Sequence, residues 1–160
     1  MISDLDTQAV DPSMLRKARA QRANLRKAML NLEAASSSPM PGRRSDWTAH
    51  LHDALVDAAA TFERHIAVTE GENGFLAEIA EHSPRLINAI QRLYREHESI
   101  RGEISAMLEQ ARGLEMHGND EAVEALRDRV TMLVGNLVRH RQHGADLVYE
   151  AHAVDIGGSD

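Results

Sequence analysis

The chain has 160 residues with no cysteine, few aromatic residues and a formal net charge of -7. The acidic balance argues against binding to nucleic acid or to an anionic membrane surface, and the lack of cysteine excludes disulfides, thiolate metal ligands and cysteine nucleophiles. No apolar stretch reaches membrane-spanning length and the acidic N-terminus is unlike a signal peptide, so we expect a cytoplasmic protein.

The first predicted helix follows a flexible N-terminal segment, residues 1–10. Asp11-Pro12 is typical of a helix start, because a carboxylate can cap the first turn and proline suits its first position. Apolar residues then recur at steps of three and four along one face, which also contains Arg22. Two prolines and a glycine in residues 36–42 predict the end of this helix.

The second helix is predicted to begin at Ser45 or Asp46. Its apolar phase continues through residues 71–74, where glycines predict a kink. Ser83-Pro84 predicts the next break, because a residue before proline avoids helical geometry.

The third helix follows that break and is predicted to end within residues 113–118. Asn119 or Asp120 can cap a fourth helix. The pattern therefore predicts an all-α protein, an antiparallel four-helix bundle forming one domain over residues 11–156, with residues 157–160 as a C-terminal tail.

Three of the nine histidines, His65, His97 and His140, lie on the apolar faces of three different helices. At a rise of ~1.5 Å per residue, His97 lies ~24 Å before the turn near Gly113, and His140 lies ~30 Å beyond Asp120. These similar depths predict that the three imidazoles meet in the middle of the bundle, where helix bundles commonly build metal sites. The alternative for each is a buried histidine that hydrogen-bonds a neighbour.

One further histidine is a candidate ligand. His143 follows His140 by three residues and so lies on a similar side of the fourth helix. Four more are expected at the surface: His50, His52, His82 and His117.

The segments that contain these histidines resemble the bacterial hemerythrin-like (HHE cation-binding) domain. They are residues 65–76 in the second helix, Arg95-Glu96-His97 in the third and residues 140–158 in the fourth. The resemblance extends over about residues 12–158. It implies a four-helix bundle with a non-haem di-iron centre, held by histidines and bridging carboxylates, that binds dioxygen or senses oxygen, nitric oxide or redox state.

The chain departs from this family at three positions. The family expects a histidine in the first helix, where this sequence has Arg22. It also expects a carboxylate one turn after each of two histidines, and these positions are Thr69 and Gly144. Other acidic residues follow soon after them, Glu70 and Asp146.

Three arrangements remain open from the sequence. Glu70 or Glu72 can add a carboxylate to the three histidines, giving a site for one iron, zinc or manganese ion. Alternatively, Arg22 can pair with one of these carboxylates in a metal-free polar network. A third arrangement combines Arg22 with the histidines and the space at Gly144 as a pocket for an anion or small ligand.

We rank a metal site first, with iron as the expected cofactor, mononuclear or dinuclear, and zinc or no metal as alternatives. The predicted metal ligands are His65, Glu70, His97, His140 and His143. The residues predicted to lie next to the metal ligands or to line a pocket are Arg22, Glu72, Tyr94, Gly144 and Asp146.

The expected function is binding or sensing of a diatomic or other small molecule, with little or no turnover and no catalytic residues, by a monomer or weak homodimer. One alternative is a metal-free domain of the same ancestry that acts in protein interaction or stress response. Another is a redox-active iron enzyme that consumes peroxide.

Overall fold

The computed structural model describes residues 11–39 and 44–157, and within these residues the protein is all-helical. The N-terminal segment predicted to be flexible, residues 1–10, and the tail residues 158–160 lie outside the described residues. The helices are α1 (Pro12–Ser37), α2 (Arg44–Glu70), α3 (Phe75–His82), α4 (Ile87–His117) and α5 (Asp120–Gly157), with a short 3₁₀ turn (Pro84–Leu86) before α4. The predicted helical bundle is thus confirmed, with α3 as an additional short element.

Polar side chains cap two of the helix starts predicted from the sequence. The side chain of Asp11 accepts a hydrogen bond from the backbone N–H of Ser13 at 2.8 Å, and Pro12 occupies the first turn of α1. At the start of α5, the side-chain oxygen of Asn119 accepts from the backbone N–H of Ala122 at 2.8 Å. Both contacts satisfy backbone donors that a helix start leaves free.

The chain turns sharply between α2 and α3, where a kink within one helix was predicted. That prediction was wrong, because α2 ends at Glu70 and a new helix begins at Phe75. The backbone N–H of Gly74 donates to the carbonyl of Gly71 at 2.6 Å, and a Cβ on Gly74 would lie 2.6 Å from that same oxygen. Close backbone approach therefore requires glycine at position 74, and it leaves Glu72 exposed in the turn.

The four long helices pack in a closed ring in which α1 contacts α2, α2 contacts α4, α4 contacts α5, and α5 contacts α1. The indole N–H of Trp47, near the start of α2, donates to the carbonyl of Ser36 near the end of α1. Arg85, just before α4, donates to the carbonyl of Glu150, late in α5, at 2.7 Å. These contacts fix which helix ends lie together.

The apolar core consists of two clusters, and the level of the three histidines separates them. On α4, His97 lies between Leu93 of one cluster and Ile100 of the other. On α5, His140 lies between Leu137 and Leu147, which again belong to different clusters. Hydrophobic packing above and below therefore holds a polar layer at a fixed depth. Among the described helices, none combines the length and the apolar composition that crossing a membrane requires.

Candidate metal centre

Three buried imidazoles converge at this polar layer. The Nε2 atom of His65 lies 3.0 Å from that of His140 and 3.2 Å from that of His97. The Nε2 atoms of His97 and His140 are 3.1 Å apart, so the three nitrogens form a nearly equilateral triangle. Each histidine comes from a different helix, α2, α4 and α5, as the helical phase and depth predicted.

Phe62 lies against all three rings. It is 1% exposed, one turn before His65 on α2, and its ring stacks on that imidazole with centroids 5.6 Å apart. The rings of His97 and His140 meet it edge-on, at 5.7 and 5.9 Å. This apolar surface restricts the rotation of the three imidazoles and excludes water from one side of the cluster.

Two glutamates hold the outer nitrogens of two of the histidines. Oε1 of Glu70 lies 2.5 Å from Nδ1 of His97. Oε2 of Glu96 lies 2.8 Å from Nδ1 of His140, and its other oxygen lies 2.6 Å from Nδ1 of His143. Because an ionised carboxylate only accepts hydrogen bonds, these contacts place the proton on Nδ1 and direct the Nε2 lone pairs of His97 and His140 toward each other.

The three clustered histidines are held in the neutral form. Burial, together with the smaller effect of the neighbouring imidazoles, lowers the pKa of His65 to about 4 and the pKa of His97 to about 2. Burial also lowers the pKa of His140, although its hydrogen bond to Glu96 opposes this effect. Neutral imidazole is the form that binds a metal ion.

Hydrogen bonding within the cluster cannot satisfy all three inner nitrogens. A neutral imidazole has one N–H, and His97 and His140 use theirs at Nδ1. The Nδ1 atom of His65 is buried and has no partner among the described residues, so this ring can direct its proton to Nε2. One N–H then faces two lone pairs that lie 3.1 Å apart. A cation bound by all three Nε2 atoms would remove this repulsion.

A cavity of about 40 Å³ opens beside the three histidines. Arg22 of α1 and Arg141 and Gly144 of α5 line it together with the imidazoles. The Nε atoms of both arginines are buried without a hydrogen-bond partner among the described residues. Burial lowers the pKa of Arg141, and the charges of Arg22 and Arg26 lower it further. The rest of the lining is almost entirely apolar: Ala18, Thr69, Phe75, Leu76, Leu93, Leu147 and Val148.

The other two predicted ligands, Glu70 and His143, do not reach the point where the three Nε2 atoms meet. Glu70 binds the Nδ1 atom of His97, which is not the nitrogen that faces the other two histidines. His143 is half-buried and contacts Glu96, the residue that also binds His140. The three-histidine group found among the described residues contains neither of them.

Of the predicted neighbours, Arg22 and Gly144 line the cavity. Tyr94 packs against the apolar cluster that contains α3, and its pKa is raised by burial and by the charge of Glu70. Asp146 is exposed and accepts a hydrogen bond from the side chain of Gln142, while Glu72 is exposed in the turn after α2. The remaining predicted surface histidines are exposed or half-buried: His50, His52, His82 and His117.

Three residues that shape the site are not among those predicted from the sequence: Phe62, Glu96 and Arg141. Glu96 directly precedes His97, but nothing in the sequence indicates that it contacts His140 and His143. In the sequence, Phe62 looks like any other apolar residue of the second helix, although its position one turn before His65 places both rings on one helical face. Arg141 follows His140 directly, and its contribution to the cavity depends on α1 and α5 lying side by side.

Comparisons of this chain with protein-family models, with curated proteins and with solved structures found no match.

Proposed function

We propose that this protein is a metal-binding helical bundle that holds one transition-metal ion through His65, His97 and His140. The observation that carries the proposal is the convergence of three buried Nε2 atoms at 3.0–3.2 Å from one another. In His97 and His140, the Nδ1 atom is hydrogen-bonded to a glutamate carboxylate, an arrangement typical of metal-ligating histidines.

The nitrogen spacing suits a transition metal. With metal–nitrogen bonds of about 2.1 Å, two ligands are about 3.0 Å apart at a right angle and about 3.4 Å apart at the tetrahedral angle. The observed separations lie between these values. Three imidazoles favour iron or zinc and leave at least one coordination position for an exogenous ligand.

The charges around the cluster favour one divalent ion. Glu70 and Glu96 together offset a charge of +2 when both are ionised, and each reaches the cluster through an imidazole ring. The described residues contain one group of histidine, cysteine or acidic side chains close enough to share an ion, and it has three members. A second ion would lack a comparable set of ligands within this part of the chain.

We infer that the fold is an antiparallel bundle of the hemerythrin-like kind, adapted to a single metal ion. The ring of helix contacts and the meeting of helix ends support this arrangement. Arg22, Thr69 and Gly144 occupy positions where the family has a histidine and two bridging carboxylates, which removes the ligands of a second iron. The function that fits best is binding or sensing of a small ligand, such as dioxygen or nitric oxide, at the open side of the metal.

The test is elemental analysis and an absorption spectrum of the untagged protein, before and after loading with iron or zinc. We expect about one equivalent of metal per chain. His97→Gln should lower the metal content to near zero, whereas the matched control His82→Gln, at an exposed position in α3, should leave it unchanged. A folded wild-type protein that binds neither metal, or two irons per chain with oxo-bridge bands, would contradict the mononuclear site.

A further inference from the structure

Two arginines from different helices line the cavity beside the histidines, and neither is neutralised by a described carboxylate. None of the ion pairs among the described residues includes Arg22 or Arg141. Both Nε atoms are shielded from solvent and have no hydrogen-bond acceptor among the described residues. A buried N–H without an acceptor is costly, and two adjacent guanidinium charges repel each other.

The two described carboxylates at the histidine cluster do not compensate for these arginines. Glu96 is shared between His140 and His143, and Glu70 is bound to His97. Once a divalent metal is present, those two carboxylates balance the metal, and the arginine charges remain. The cavity therefore has an excess of positive charge next to the open side of the proposed metal.

The size of the cavity limits what can supply the missing negative charge. Its volume is about 40 Å³. Since one water occupies roughly 10–15 Å³ of such a cavity, there is room for three or four non-hydrogen atoms. The remaining lining is mainly apolar, so the occupant needs a charged end and little other polar surface.

We propose that this cavity binds a small organic carboxylate, held by Arg22 and Arg141 and directed toward the three histidines. Guanidinium groups pair with planar carboxylates through two parallel hydrogen bonds, which supplies acceptors for the unpartnered N–H groups. The proposal rests on the proposed function in one respect, since a metal held by the histidines gives the anion an additional ligand. The arginine contacts do not depend on the metal.

The experiment measures the melting temperature of metal-free and zinc-loaded protein during titration with sodium acetate or sodium bicarbonate, against sodium chloride at equal ionic strength. A ligand that binds the folded state raises the melting temperature in a saturable way, which yields a dissociation constant. We expect saturable binding of acetate in both forms and tighter binding to the zinc-loaded form. Acetate should bind more tightly than bicarbonate, because the apolar lining favours a methyl group over a hydroxyl; tighter bicarbonate binding would overturn the choice of an organic carboxylate.

Three variants separate this site from general charge effects. Arg22→Gln and Arg141→Gln should each weaken acetate binding about tenfold or more, as expected when a charge-assisted pair is lost. The matched control, Arg19→Gln, removes the same charge from an exposed position one turn earlier on α1 and should change binding less than about twofold. Equal effects of all three variants would overturn the proposal, because they would indicate a diffuse surface effect.

A variant that keeps both arginines tests the cavity itself. A Cβ at Gly144 meets no atom within 4 Å, so Gly144→Leu can extend into the cavity without disturbing the helix. We expect it to abolish acetate binding, and unchanged binding would overturn the assignment.

If zinc binds but acetate does not, the inference fails and the proposed function stands. If acetate binding depends on the arginines but zinc does not load, the proposed function fails and the anion site stands.

Discussion

Glu96 of α4 binds the Nδ1 atom of His140 on α5 at 2.8 Å, and this contact fixes which nitrogen of His140 faces the other two histidines. The same carboxylate also accepts from His143, so both of its oxygens are engaged. An ionised partner on Nδ1 raises the basicity of Nε2 and holds the ring in one orientation. Glu96 thus joins two helices at the level of the proposed metal.

Glu96→Gln should weaken metal binding by about 10–100-fold, the usual effect of removing a carboxylate behind a metal-bound histidine. The amide has nearly the same shape but lacks the charge, so the fold should persist. Competition with a chelator of known affinity measures the change. The matched control is Glu109→Gln at an exposed position on α4, and a similar loss there would contradict a specific role for Glu96.

Phe62 supports the three imidazoles by packing. Phe62→Ala should lower the free energy of unfolding by about 3–5 kcal/mol, because it leaves a cavity under all three rings. Phe62→Leu keeps more of the volume and should cost less than about 2 kcal/mol. Urea unfolding of the metal-free proteins measures both. Equal stability of the two variants would show that the contact between Phe62 and the histidines carries little energy.

The position of the three histidines could be predicted from the sequence because it depends on two constants of the α-helix, its period and its rise per residue. The helical period places His65, His97 and His140 on inward faces, and the constant rise per residue places them at similar depths. Neither quantity depends on details of side-chain packing. The convergence of the imidazoles follows once the helices pack side by side.

The partners of these histidines could not be predicted in the same way. Glu96 precedes His97 and so points about 100° away from it around the helix, where it reaches a neighbouring helix. Which neighbour it meets depends on packing that periodicity does not encode. The end of α2 was missed for a related reason: the apolar phase continues through Glu72 and Leu76, although the backbone turns at Gly74.

The metal-free protein should lose stability as the pH falls from about 6.5 toward about 4. The pKa of His65 is lowered to about 4 and that of His97 to about 2, so the unfolded chain binds more protons than the folded chain in this window. The stabilisation is therefore complete above the unfolded pKa and is lost on acidification, on the order of 3 kcal/mol for His65 alone. Burial raises the pKa of Glu70, which acts in the opposite direction but on a more exposed group.

Urea unfolding at several pH values measures this dependence. Metal-free His97→Gln should show a shallower fall between pH 6.5 and 4 than the metal-free wild type, because one buried base is missing. The exposed control His82→Gln should parallel the wild type. Identical slopes for all three proteins would contradict the assignment of neutral, buried histidines.

A substitution in the turn after α2 should lower both the stability of the protein and its metal affinity. A Cβ on Gly74 would lie 2.6 Å from the carbonyl oxygen of Gly71 and 2.7 Å from that of Thr69, so Gly74→Ala must move the backbone. We expect a loss of about 1–3 kcal/mol in the free energy of unfolding, as for other forced contacts. Since Glu70 directly precedes this turn and binds His97, metal affinity should fall as well.

Gly102→Ala is the matched control, because its Cβ meets nothing within 4 Å and the position is helical and exposed. That variant should gain about 0.5–1 kcal/mol and keep its metal affinity. Loss of stability in Gly74→Ala without any loss of metal affinity would show that Glu70 is positioned by α2 alone.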